Sequence, residues 1–121
     1  MSTRATYQFI GEITGTYTAY IHHDGYPQHA WTYLDGANSI DQFMQLNEQA
    51  EITDSHEIHG DTEYRYTVQN GTICAQERDY DANEWKIIFL GTVDGFVKKY
   101  KAEYERLEKE YNQRMGLNAV N

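Results

Sequence analysis

The alternation of apolar and polar residues divides the chain into stretches typical of strands and of helices. Residues 5–10 and 16–22 alternate with the two-residue period of half-buried strands, and the glycines between them predict a hairpin. Residues 63–69, 72–78 and 84–90 alternate in the same way and are separated by turn-forming residues. The last of these strands should direct Trp85, Ile87 and Phe89 to one face. The pattern predicts an N-terminal hairpin followed by a three-strand meander.

Three other stretches show the spacing of helices. Pro27 suits the first turn of a short helix that should end at Leu34. Ser39 and Gln42 form a capping-box pattern at the start of a second short helix. Thr92 is the expected cap of the last helix, which should be about 35 Å long. We therefore predict an α+β fold in a single domain over residues 1–121, with an antiparallel sheet of about five strands, two short helices and one long C-terminal helix.

The apolar positions of the last helix recur at intervals of three and four residues from Val93 to Tyr111. This spacing fits a helix that packs against its own sheet, and it also resembles the seam between two paired helices. The seam is shorter than a stable coiled coil requires. Packing on the sheet is favoured, and a homodimer through the C-terminal helix is the alternative.

Charge is distributed very unevenly along the chain. No Lys or Arg lies between Arg4 and Arg65, whereas ten carboxylates and all five histidines do. From Arg65 onward basic and acidic residues balance, so the formal charge of −9 belongs to the first half. Such a field repels nucleic acid and anionic membranes and attracts basic protein surfaces.

The predicted elements concentrate this acidity on the second short helix and on the polar segment after it. We predict a non-enzymatic binding protein whose partner is a protein with a basic surface, with no direct contact to nucleic acid or membrane. The alternative explanation is that the charge only keeps the protein in solution. The candidate partner-binding residues are Asp35, Asp41, Glu48, Glu51, Asp54, Glu57, Asp61 and Glu63.

The segment from His22 to Tyr26 places potentially reactive side chains at the end of a strand. In a functional interpretation, His22 or His23 is a general base or a metal ligand that Asp24 orients. In a structural interpretation, Asp24 begins a turn and Tyr26 leads into the first helix. Adjacent strand residues point to opposite faces, which makes a shared metal difficult and favours the structural interpretation.

His56 and His59 are weak candidates for a metal site. A structural zinc site usually has four Cys or His ligands, and no cysteine lies near these histidines. We therefore expect neither a metal nor a cofactor. Two other functions stay open: a binding protein for nucleotide signals that uses the few later cations, and a metal-dependent enzyme that uses the His and Asp loops.

The location in the cell is predicted from what the sequence lacks. Cys74 is the single cysteine, which excludes an internal disulfide and fits a reducing compartment. The first residues show no apolar run typical of a signal peptide, and no stretch is apolar enough to cross a membrane. We predict a cytoplasmic protein.

Two segments of the first half resemble small uncharacterised proteins of phages, prophages and integrative elements. The first is Tyr20-Ile21-His22-His23-Asp24-Gly25-Tyr26-Pro27, which matches their Tyr-Ile-His-x-Asp-Gly-Tyr-Pro segment, and the second is Gly60-Asp61-Thr62-Glu63-Tyr64-Arg65-Tyr66. The resemblance implies a mobile genetic element and a place in the host cytoplasm. Small accessory proteins in that setting often inhibit host defences, as anti-CRISPR and anti-restriction proteins do. It implies no catalytic residue.

Overall fold

The sheet is organised around its N-terminal strand, β1 (Ala5–Gly11), in a computed structural model that describes residues 3–11, 15–37, 39–54, 56 and 61–116. On one side, β1 pairs antiparallel with β2 (Gly15–Ile21), which in turn pairs with the short edge strand β3 (Glu51–Thr53). On its other side, β1 pairs parallel with β4 (Tyr64–Gln69). The antiparallel strands β5 (Thr72–Asp79) and β6 (Glu84–Thr92) complete the sheet of the described residues, in the order β3-β2-β1-β4-β5-β6.

The predicted α+β class is confirmed, with two differences in the sheet. The described residues form six strands rather than about five, because part of the polar segment pairs with β2 as β3. One strand pair, β1 with β4, is parallel. Parallel neighbours require a long crossover connection, and here the chain from residue 12 to residue 63, which includes β2, provides it.

Three helices of the described chain lie on one face of the sheet: α1 (Pro27–Leu34), α2 (Ile40–Leu46) and α3 (Val93–Arg114). The core between helices and sheet is aromatic. Tyr7 of β1 stacks on Tyr66 of β4 with ring centroids 5.1 Å apart. Phe43 of α2 lies 4.9 Å from the Tyr7 ring, and Phe96 of α3 lies 5.6 Å from the Tyr66 ring. One pair of rings therefore anchors two helices.

The predicted helix ends are confirmed by their hydrogen bonds. Ser39 Oγ accepts a bond of 3.3 Å from the Gln42 backbone N–H at the start of α2. Thr92 Oγ1 accepts a bond of 2.9 Å from the Gly95 N–H at the start of α3. These side chains satisfy backbone donors that have no partner within the helix.

The prediction that Trp85, Ile87 and Phe89 share one face is wrong. The register between β5 and β6 shifts by one residue after Ala75. Ala75 pairs with Phe89, whereas Gln76 pairs with Ile87. The extra residue of this bulge reverses the alternation. Phe89 therefore points to the helices, where its ring lies 5.5 Å from that of Phe96.

Helix α3 packs against the sheet only with its N-terminal part. Val93 and Tyr100 of the predicted seam are buried, and so is Phe96, which lies outside the predicted seam. Further along, Leu107, Tyr111 and Met115 are 43%, 50% and 57% exposed. The predicted homodimer through this helix stays a prediction.

The tyrosines make stability sensitive to alkaline pH. Burial raises the pKa of Tyr64 to about 12, with a contribution from Glu77. Burial and the hydrogen bond to Asp61 raise the pKa of Tyr20 to about 12. Unfolded tyrosines ionise near pH 10, so these hydroxyl groups stay protonated to a higher pH in the folded state than in the unfolded state. We expect this contribution to stability to be complete below pH of about 10 and to be lost as the pH rises to about 12.

Urea unfolding at a series of alkaline pH values, with tyrosinate absorbance as a second readout, tests this expectation. Part of the tyrosinate signal should appear only together with unfolding. An unfolding midpoint that does not change across this window would contradict it.

Candidate binding site at an acidic sheet edge

Four exposed carboxylates lie on the edge strand β3 and on the segments that lead into and out of it. Asp41 lies in the first turn of α2, and Glu48 follows the end of that helix. Glu51 lies in β3 opposite Tyr20, and Asp54 comes directly after the strand. Asp41 lines a pocket together with Ile52 of β3, which places the start of α2 beside this edge of the sheet. We call Asp41, Glu48, Glu51 and Asp54 the acidic edge.

The elements that build this edge cannot neutralise it. Strands β1 to β3 and helices α1 and α2 all fall between Arg4 and Arg65, where the sequence contains no Lys or Arg. Glu51 Oε2 lies 3.3 Å from His22 Nε2, a contact that supplies a positive charge only when the histidine is protonated. The acidic edge therefore presents a local excess of negative charge.

The other predicted partner-binding residues that the structure describes lie outside this group. Asp61 is exposed but already paired, since its Oδ2 lies 3.1 Å from Arg4 Nε and its Oδ1 accepts a bond of 3.1 Å from the Tyr20 hydroxyl. Asp35 is exposed at the end of α1, and Glu63 is half-buried before β4. Glu57 lies outside the described residues.

An apolar pocket with a volume of about 720 Å³ opens beside the acidic edge. Phe9, Ile40 and Met44 are among the apolar side chains that line it. The more exposed side chains of Tyr17 and Ile52 also line it. Sequence reasoning missed this pocket because β1, β2, α2 and β3 each contribute only a few residues. The one sequence signal for this pocket was Ile52, an apolar residue within a polar segment.

The segment from His22 to Tyr26 serves the fold, as the structural interpretation predicts. Asp24 has a φ of +56°, the Gly25 N–H donates to Thr3 O over 2.9 Å, and Tyr26 is the residue that precedes α1. A Cβ atom on Gly25 would lie 2.5 Å from the Ala5 Cβ. His22 and His23 are both exposed. This segment therefore fixes the entry of α1 against β1.

His56 also lies within the fold rather than at an open site. Its Nδ1 is 2.7 Å from Thr6 Oγ1, and its Nε2 is 3.0 Å from Thr67 Oγ1. The ring is buried on the face of the sheet opposite the helices, where it links β1 to β4. His59 lies outside the described residues. Within the part of the chain that the structure describes, no group of three His, Cys, Asp or Glu side chains is placed to hold a metal ion.

A cationic cluster lies on β4 to β6, away from the acidic edge. The Arg65 guanidinium lies 4.4 Å from the centre of the Trp85 ring, and the Arg78 guanidinium lies 5.7 Å from the same ring. Arg65 Nε donates to Gln76 over 2.9 Å, and Arg78 Nη2 donates to Asn83 over 2.7 Å. These contacts involve both guanidinium groups in the packing of the sheet surface.

Comparisons with known proteins give no relative from which a function could be transferred: no family model, no curated protein and no solved structure matches the chain. The resemblance to proteins of mobile elements therefore stays a prediction. None of the helices in the described residues is long and apolar enough to cross a membrane.

We expect Gly25→Ala to destabilise the protein by about 1–3 kcal/mol, because its methyl group would overlap with Ala5. Urea unfolding measures the loss. The matched control is the double variant with Ala5→Gly, which removes the overlapping methyl group. The double variant should be less destabilised than the sum of the two single changes, and strict additivity would contradict the proposed contact.

We expect His56→Ala to destabilise the protein by about 1–3 kcal/mol, because the fully buried Thr6 hydroxyl loses a hydrogen-bond partner. The exposed His23→Ala serves as the control and should change stability by less than about 0.5 kcal/mol. Thermal or urea unfolding compares the two. Equal effects of the two substitutions would contradict the structural role of His56.

Proposed function

We propose that this chain is a non-enzymatic binding protein whose acidic edge docks on a basic surface of another protein. The observation that carries the proposal is the set of four exposed carboxylates around β3, on elements without a single Lys or Arg. Charges of one sign on a compact domain accelerate and orient encounters with a surface of the opposite sign. Rim contacts of this kind weaken as the salt concentration rises.

We further propose that the partner is a host defence complex that binds nucleic acid, so that the protein acts like an anti-CRISPR inhibitor. A channel that holds phosphates is lined with Lys and Arg, and it is therefore a surface that carboxylates can occupy. The resemblance to proteins of mobile elements supports this choice of partner. The mechanism is competition, in which the protein and the nucleic acid exclude each other from one basic surface.

A second candidate function is the binding of a nucleotide signal, which the cluster of Arg65, Arg78 and Trp85 favours. Guanidinium groups on an aromatic ring provide both positive charge and a stacking surface. This function has less support, because Gln76 and Asn83 already engage these arginines. A thermal-shift screen with linear and cyclic nucleotides distinguishes the two, since a ligand that binds the folded state raises the melting temperature.

The primary proposal predicts that the triple variant Asp41→Asn, Glu48→Gln, Asp54→Asn loses its partner. We expect the affinity to fall by about tenfold, because each exposed ion pair contributes roughly 0.2–1 kcal/mol. The measurement is capture of nucleic-acid-binding proteins from a lysate of the host at low and high salt. The captured protein is then tested for competition between this chain and its nucleic acid.

The matched control changes three exposed carboxylates elsewhere: Asp81→Asn, Glu105→Gln and Glu108→Gln. Both variants lose three negative charges, so that they have the same net charge and differ in where the charges are removed. The control should retain the partner. Equal losses in both variants would show that total charge rather than the acidic edge determines binding, and the proposal would be rejected.

A further inference from the structure

We propose that the apolar pocket beside the acidic edge receives an arginine side chain of the partner protein. The inference rests on the proposed function, which supplies the partner protein. It adds a buried contact that the exposed carboxylates alone do not provide. Exposed charges speed and orient association, whereas buried anchor residues supply most of the binding energy at interfaces.

The lining of the pocket suits the aliphatic part of such a side chain. Phe9 forms a buried surface at 4% exposure, and Ile40 and Met44 are half-buried beside it. Tyr17 and Ile52 are 45% and 57% exposed and leave apolar surface open to a ligand. Methylene groups that enter this site leave water for apolar contacts, which stabilises the complex.

The charge at the pocket selects a cation. Asp41 carries the only charge among the described lining residues. Its carboxylate has no hydrogen bond or ion pair with any other part of the described chain, and it is exposed at the start of α2. Asp54 follows Ile52 by two residues and adds negative charge beside the pocket. A neutral ligand gains less from these charges than a cation does, and an anion is repelled.

Among cations, the guanidinium group fits this combination best. It is planar and weakly hydrated, and it offers two parallel N–H groups to a carboxylate such as that of Asp41. It also stacks on aromatic rings, and the exposed ring of Tyr17 lines the same pocket. An ammonium group has neither the planar shape nor the weak hydration.

Titrations followed by the backbone amide signals of the full chain test the inference. The probes are butylguanidinium, butylammonium, butanol and butyrate. We expect butylguanidinium to shift the signals of Gly11, Gly15 and Ile52 in a saturable manner, and to bind about fivefold more tightly than butanol. Butylammonium should bind more weakly than butylguanidinium, and butyrate should bind least.

The variant Asp41→Asn keeps the shape of the side chain and removes its charge. It should abolish the advantage of butylguanidinium over butanol, whereas the control Asp81→Asn should preserve it. Equal binding of butylguanidinium and butanol to the unchanged protein would overturn the inference. Shifts spread over exposed carboxylates away from the pocket would overturn it as well.

A capped Ala-Arg-Ala peptide distinguishes a side chain of a protein from a small free cation. It should shift the same amides as butylguanidinium, and failure to do so would overturn the assignment to a protein side chain. These titrations are independent of the capture experiment. If the probes fail to bind while the acidic-edge variant still loses its partner, the pocket inference falls and the proposed function stands.

Discussion

The hydrogen bond from the Tyr66 hydroxyl to the Gly25 carbonyl, 2.5 Å long, connects the parts of this fold that are far apart in sequence. Tyr66 lies in the middle of β4, and Gly25 lies in the turn that carries the chain from β2 into α1. Gly25 can occupy this place because it has no side chain to collide with Ala5 of β1. The parallel pair of strands and the first helix are therefore fixed at one point. The position of α2, and with it the pocket, follows from that arrangement.

The sequence predicted the elements whose signals are local. Ser39 and Thr92 cap their helices as expected, and Asn70 begins the hairpin between β4 and β5 with a positive φ. Features that depend on distant residues could not be predicted. The parallel partner of β1, the bulge that reverses Phe89 and the burial of His56 each arise from pairing across the sheet. Hydrophobic periodicity describes one element at a time and contains no information about its neighbour.

The candidate site, too, could be predicted from the sequence only in part. The sequence predicted an excess of negative charge in the first half of the chain, because a stretch without Lys or Arg has no internal counterion wherever it folds. It did not distinguish Asp41, whose carboxylate has no hydrogen bond or ion pair within the described chain, from Asp61, which is engaged by Arg4 and Tyr20. Only the tertiary structure separates carboxylates available to a partner from those that stabilise the domain. The pocket was invisible for the same reason, since Phe9 and Ile52 meet there from opposite sides of β2.

The two open edges of the sheet are protected in different ways. At one edge, a bulge interrupts β6 between Ile87 and Phe89. Such irregularities hinder the addition of a further strand. At the other edge, carboxylates lie on β3 and on the segments that lead into and out of it. If two copies approached each other through β3, their like charges would meet before any backbone hydrogen bond could form. The charge of this edge thus keeps identical molecules apart, which protects the protein from growth into extended sheets at high concentration.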